Sequence, residues 1–177
     1  DVLVEDKIII PAIKIADFSS ETELGQNSRG LIFPYVEING KLKIMEEDEF
    51  KKTAPLAYAH LDSFKQELAK RDKGKKEYAA WYAWGRTQGR KAPGPKLLTK
   101  TFDANPSFKL DRTNSLFCNG YAVMAPQGYE NGVKLSIKGL QKIINSRFMH
   151  YYTKVTSFQL SGDYQCYQKN FIKSFGI

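Results

Sequence analysis

Residues 81–91 read Trp-Tyr-Ala-Trp-Gly-Arg-Thr-Gln-Gly-Arg-Lys, three large rings among three fixed positive charges. Arginine forks pair bidentately with phosphate or with the major-groove edge of guanine, and glutamine can pair in the same way with adenine. Arg86, Gln88 and Arg90 therefore offer both kinds of reader. The interleaved Gly85 and Gly89 let the backbone approach a ligand closely. Lys91, Lys96 and Lys100 follow and can hold phosphates, and Lys75 and Lys76 precede the stretch. In an extended segment Tyr82 and Trp84 face one way and Trp81 the other. At least one ring is therefore expected in the core; Trp81 is assigned there, and Tyr82 and Trp84 are placed with the ligand-facing set.

Charge supports this emphasis. Residues 1–63 hold 7 Lys/Arg against 12 Asp/Glu, residues 64–100 hold 11 against 3, and residues 101–177 hold 9 against 4. The net charge of +8 is thus concentrated in the middle and end of the chain, the pattern of a surface built for a polyanion. The plain alternative is a well-solvated surface.

Other chemistry finds little footing. Cys118 and Cys166 form no CxxC, and His60 and His150 stand far from both, so no metal site is expected. His60 reads as a packing residue. Glu46, Glu47, Asp48 and Glu49 open a helix, where acids suit the dipole. There is no glycine-rich cofactor fingerprint, no Walker pattern and no nucleophile elbow. Asn105-Pro106-Ser107-Phe108 comes near the Asn-Pro-Pro-aromatic tetrapeptide that holds a flipped base, but Ser107 stands where proline belongs, and an Asn-Pro loop between strands is the expected reading. No catalytic residue and no cofactor are expected in this chain.

The elements that must position these residues follow from local rules. A length of 177 residues with 42% hydrophobic content suits one domain, or two small lobes sharing one core. No apolar run approaches a membrane span. The start lacks the basic opening and cleavage site of a secretory leader, and few cysteines fit a reducing compartment, so a cytoplasmic protein is expected. Without an initiator methionine, the chain is expected to be a piece of something longer.

Leu31-Ile32-Phe33 is an apolar strand run, Pro34 marks an edge or bulge, and Asn39-Gly40 signals a hairpin returning through residues 41–45. Residues 46–72 read as a helix, with Pro55 in the first turn of its main segment and a stripe of Ala57, Leu61, Phe64 and Leu68. Residues 96–102 and 115–126 read as strands, with Asn119-Gly120 a turn or bulge inside the second, and residues 126–132 as a loop. Residues 135–154 form a second helix, capped by Ser136, with Ile137, Leu140, Ile144, Phe148 and Tyr151 on one face. The expected class is α+β, with mixed, largely antiparallel sheets and two main helices.

Several segments in order then resemble a known family: LIFPY (31–35), APLAYAHLDSFKQELAKRD (54–72), WYAWGRTQGR (81–90), KLLTKTF (96–102), YAVM (121–124), LQKIINSRFMHYY (140–152) and YQKNFIKSF (167–175). Together they look like the TaqI-like C-terminal specificity domain of N6-adenine DNA methyltransferases, found in restriction–modification enzymes, including single-chain types that also cut DNA. The resemblance covers most of the chain from about residue 8. It departs at Thr99-Lys100, where the family often carries a proline. The methyltransferase half is absent.

The resemblance implies a single target-recognition domain over 1–177 that belongs at the C-terminal end of its parent. It implies double-stranded DNA as partner and an upstream methyltransferase domain of the same polypeptide, where S-adenosylmethionine would bind. No membrane is implied. Only the framework carries over, because such domains differ most where they read bases. Three rivals stay open: a single-strand or RNA binder stacking bases on Trp81, Tyr82 and Trp84; a basic protein-interaction domain; and an enzyme built on Asn105-Pro106.

Overall fold

The computed structural model describes residues 2–85, 94–125 and 135–176. Its elements, in chain order, are β1 (Ile9–Lys14), α1 (Glu21–Gly25), β2 (Gly30–Ile32), β3 (Tyr35–Ile38), β4 (Lys41–Ile44), α2 (Glu47–Thr53), α3 (Pro55–Ser63) and α4 (Lys65–Ala69). After these come β5 (Lys96–Thr99), β6 (Phe102–Asp103), β7 (Lys109–Asp111), β8 (Leu116–Cys118), β9 (Tyr121–Val123), α5 (Ile137–Ile144), α6 (Arg147–Thr156), β10 (Gln165–Cys166) and α7 (Lys169–Ile172). The class is α+β, with seven α-helices among the described residues and several small, mostly antiparallel sheets. No described helix is long and apolar enough to cross a membrane.

The chain divides into two compact units. One comprises Asp1–Ile10 with Gly30–Thr87, the other Pro11–Arg29 with Gln88–Ile177. In the first, β3 and β4 pair antiparallel, from Tyr35 opposite Ile44 to Ile38 opposite Lys41. Asn39 (φ 52°) and Gly40 (φ 70°) make the left-handed pair that a tight hairpin requires. Pro34 separates β2 from β3, because it has no N–H for a ladder; its carbonyl accepts from Met45 N–H at 3.0 Å.

The helix expected over 46–72 is three helices. Pro55 restricts Ala54 to a non-helical conformation (φ −141°, ψ 70°), so α2 ends and α3 begins with proline in its first turn. Ala54 has no side-chain oxygen to cap α3. The Glu5 carboxylate supplies one instead, accepting from Leu56 and Ala57 N–H at 2.9 and 3.0 Å. Desolvation works against that charge, but the two amide donors outweigh it and hold the carboxyl below its usual range. At Phe64 (φ −105°, ψ 9°) the axis breaks again. Ala57 therefore joins the core with Ile8, Met45, Phe50, Ala54 and Tyr82, while Phe64 is left exposed, edge-on to His60.

In the second unit β5 is the middle strand of β7–β5–β9, antiparallel to both neighbours. All four of its residues are buried, and their alternation feeds two cores. Leu97 packs with Phe108, Leu110, Leu140, Ile144, Met149 and Tyr167. Leu98 packs with Ile13, Ile15 and Leu24. The turn from β8 to β9 uses Asn119 (φ 59°), and a Cβ at Gly120 would collide with the Thr99 carbonyl.

The helix expected over 135–154 is also divided. Ser136 Oγ caps α5, accepting from Gly139 N–H at 3.0 Å. Asn145 ends it, and its amide closes on β7's approach, accepting from Phe108 N–H at 2.7 Å and donating to Phe108 C=O at 2.9 Å. Ser146 is extended (ψ 166°), so α6 starts in a new register. Leu140 and Ile144 face inward as expected, but Phe148 and Tyr151 do not; Met149 and Thr153 take the buried face of α6.

Candidate nucleic-acid interface

The basic middle of the chain is organised by one arginine. Arg71, two residues past α4, donates from Nε to Leu68 C=O at 2.8 Å, from Nη1 to Ala83 C=O at 2.7 Å and from Nη2 to Trp81 C=O at 2.6 Å. Its guanidinium lies over the Tyr78 ring, 4.4 Å from the centroid. A planar fork with several fixed donors can tie a helix end to a loop in this way; a lysine cannot. Tyr78 O–H donates to the Asp72 carboxylate, which holds the phenol above its usual range.

Between these anchors Asp72 (φ 48°), Lys73 (φ 59°) and Gly74 (φ 67°) are all left-handed. Such a conformation costs a non-glycine residue roughly 1–2 kcal/mol. The bonds of Arg71 and Asp72 to residues 78–83 hold the turn against that cost. The turn stops the helix abruptly and splays Lys70, Lys73, Lys75 and Lys76 into solvent. Lys76 donates to Gly85 C=O at 3.3 Å. Among the described residues, none of the four pairs with a carboxylate. Gln66, Ala69, Lys70, Lys73 and Gly74 line a shallow open cleft of about 630 Å³ beside them.

The rings of residues 81–84 serve this scaffold. Tyr82 is buried: its hydroxyl donates to Met45 C=O at 2.7 Å, its ring centroid lies 5.1 Å from that of Phe50, and burial above all pushes its pKa up. Its placement in the ligand-facing set is corrected accordingly. Trp81 is half-buried, edge-on to Tyr58 and Tyr82, with Lys65 over its face at 4.6 Å. Trp84 is partly exposed, while its Nε1–H donates to Ile32 C=O and its backbone N–H to the Tyr35 hydroxyl, both at 2.8 Å. A shared stacking platform of Trp81, Tyr82 and Trp84 is therefore not what these rings form.

Lys96, expected to hold a phosphate, is instead a core residue. It is fully buried, directly across the β5–β7 ladder from Asp111, with Nζ 2.8 Å from Oδ2. Nζ also donates to Thr113 C=O at 2.8 Å and Gly94 C=O at 3.3 Å, so it has no reach to a phosphate. Lys100 is half-buried. It lies near Lys109, whose ammonium donates to Ser107 Oγ at 2.7 Å; burial, then the charge of Lys100, holds Lys109 below the usual lysine range. Arg86, Gln88, Arg90 and Lys91 lie outside the described residues.

Sequence reasoning passed over Lys70 and Lys73 as site residues and Arg71 as their organiser. The signal was present in Lys-Arg-Asp-Lys-Gly, where a helix meets a glycine amid cations. Asn105-Pro106 sits in the loop from β6 to β7. No group of three or more His, Cys, Asp or Glu among the described residues could hold a metal ion. No family model matches the chain, and a search of curated proteins finds no match to it.

Proposed function

We propose that this chain is the duplex-DNA recognition domain of an adenine-N6 DNA methyltransferase of the restriction–modification kind. The observation that carries the DNA-binding part is the Arg71-held turn with its four solvent-facing lysines, Lys70, Lys73, Lys75 and Lys76, none of which pairs with a carboxylate among the described residues. Point charges of this kind neutralise phosphates without reading bases and position a protein on a duplex. The ordered resemblance to the specificity domain supports the narrower part. In that reading Arg86, Gln88 and Arg90 select the site from the major groove, and an upstream domain, holding S-adenosylmethionine, methylates the flipped adenine. Trp84, 38% exposed, keeps its place in the contact set, as does Lys100; Tyr82 and Lys96 leave it.

Replacing the four lysines together with glutamine is expected to flatten the slope of log affinity for duplex DNA against log salt by about 3–4. The thermal melt is expected to hold, since all four side chains are exposed. Fluorescence anisotropy across a salt series measures this, and an unchanged slope removes the proposed phosphate surface. In the full-length enzyme, Arg86→Ala with Arg90→Ala is expected to relax site choice, each lost bidentate pair removing roughly 1–3 kcal/mol of discrimination. Methylation over a panel of sites reads this out, and an unaltered preference refutes the choice of reading residues.

A further inference from the structure

The α6 helix carries a face that its own unit leaves bare. Phe148 is 67% exposed, Tyr151 68% and Val155 59%, at spacings of three and four residues, so they share one side of the helix. Arg147 and Lys154 flank them on α6, and Lys138 and Lys142 are exposed on α5. The Arg147 guanidinium lies over the Phe148 ring, 5.6 Å from the centroid. From residue 135 to residue 162 the chain has these four cations and no acidic residue. None of the four pairs with a carboxylate among the described residues. The Glu21 carboxylate, which meets α5 at Gln141, is already engaged by that amide and by Leu110 N–H.

We infer that this face is a binding surface for unpaired nucleic acid, with bases stacked on Phe148 and Tyr151 and phosphates held by Lys138, Lys142, Arg147 and Lys154. Sequence-tolerant single-strand sites combine flat rings for the bases with a cationic track for the backbone. Both components are present here. Four cations with no acid between residues 135 and 162 favour a polyanion over an ordinary protein surface of mixed charge. The helix break at Asn145–Ser146 produces the face, because it turns these rings out of the core. The inference stands apart from the duplex surface of the first unit, since it rests on different residues.

The test uses the full chain and a fluorescein-labelled oligothymidine of about twelve nucleotides, long enough for one such site. Phe148→Ala and Tyr151→Ala are each expected to weaken binding about tenfold. The side chains are exposed, so circular dichroism and the melting curve are expected to stay as in the parent. The salt slope of the parent is expected near −3, and changing Lys142, Arg147 and Lys154 to glutamine is expected to flatten it by about 2. Ultraviolet crosslinking of a bromodeoxyuridine-substituted strand is expected to label the peptide containing Phe148 and Tyr151. The variant lacking Lys70, Lys73, Lys75 and Lys76 is expected to bind the oligothymidine within about threefold of the parent while losing duplex affinity, which separates this proposal from the other. Ring variants that bind the strand as the parent does overturn the inference. So do crosslinks confined to other segments, or an effect of the ring variants on self-association alone, which would assign the face to protein contact.

Discussion

Replacing Lys96 with methionine is expected to destabilise the protein by about 3–5 kcal/mol, because it leaves Asp111 as a buried charge without its cation. The pair is cross-strand in β5 and β7, and both side chains are almost wholly inaccessible. Asp111 is further held by Ser115 Oγ–H at 2.5 Å and by Thr113 N–H at 2.9 Å and Oγ1–H at 2.7 Å. Burial opposes its charge, and the Lys96, Ser115 and Thr113 donors overcome this, so its carboxyl stays below the usual range. A carboxylate with a lowered folded pKa stabilises the fold above its unfolded pKa. That contribution disappears as pH falls through the folded value, so the acid limb of the parent's stability profile should lie below about pH 4.

Asp111→Asn should lose that limb as well as stability. The double variant, Lys96→Met with Asp111→Leu, is expected to recover only part of the loss. It removes both charges, but it strands the Thr113 carbonyl and the Ser115 hydroxyl, which bond to the pair. Urea unfolding of the parent and of the single and double variants, at neutral pH and at about pH 2–3, measures all three effects. A Lys96→Met cost below about 1 kcal/mol would mean that water reaches the pair.

Arg71→Lys is expected to cost about 2–4 kcal/mol, although it keeps the charge, since three bonds from one planar group to the Leu68, Trp81 and Ala83 carbonyls cannot be remade by one ammonium. The consequence reaches beyond stability. The left-handed run at Asp72, Lys73 and Gly74 is held from the far side of the loop, so loss of the fork should let the helix end relax and disperse the lysines. Duplex affinity is then expected to fall roughly as far as when two of the four lysines are removed, about ten- to thirtyfold at moderate salt. Melting curves and anisotropy on the same variant check both parts. Loss of stability with unchanged affinity would show that the lysines act without a preset arrangement.

These two expectations have different origins. Arg71 could have been singled out from the sequence, because it sits where a helix runs into Asp-Lys-Gly. The role of Lys96 could not, since its partner lies fifteen residues away on another strand. With Lys91 and Lys100 nearby, it looked like one more surface cation.

What the amino-acid order determined is local. Asn39-Gly40 forces a hairpin because those residues accept positive φ, Pro55 starts a helix because it lacks an N–H to lose there, and Ser136 caps α5 three residues from its donor. The α+β class follows from the same short-range signals. Tertiary structure alone decided which rings are floor and which are face. Tyr82 is buried by Phe50 and Met45, both more than thirty residues earlier, whereas Phe148 and Tyr151 are turned outward because Asn145 finds Phe108 and ends its helix early. Burial depends on what distant segments present, and a residue's neighbours in sequence do not carry that information.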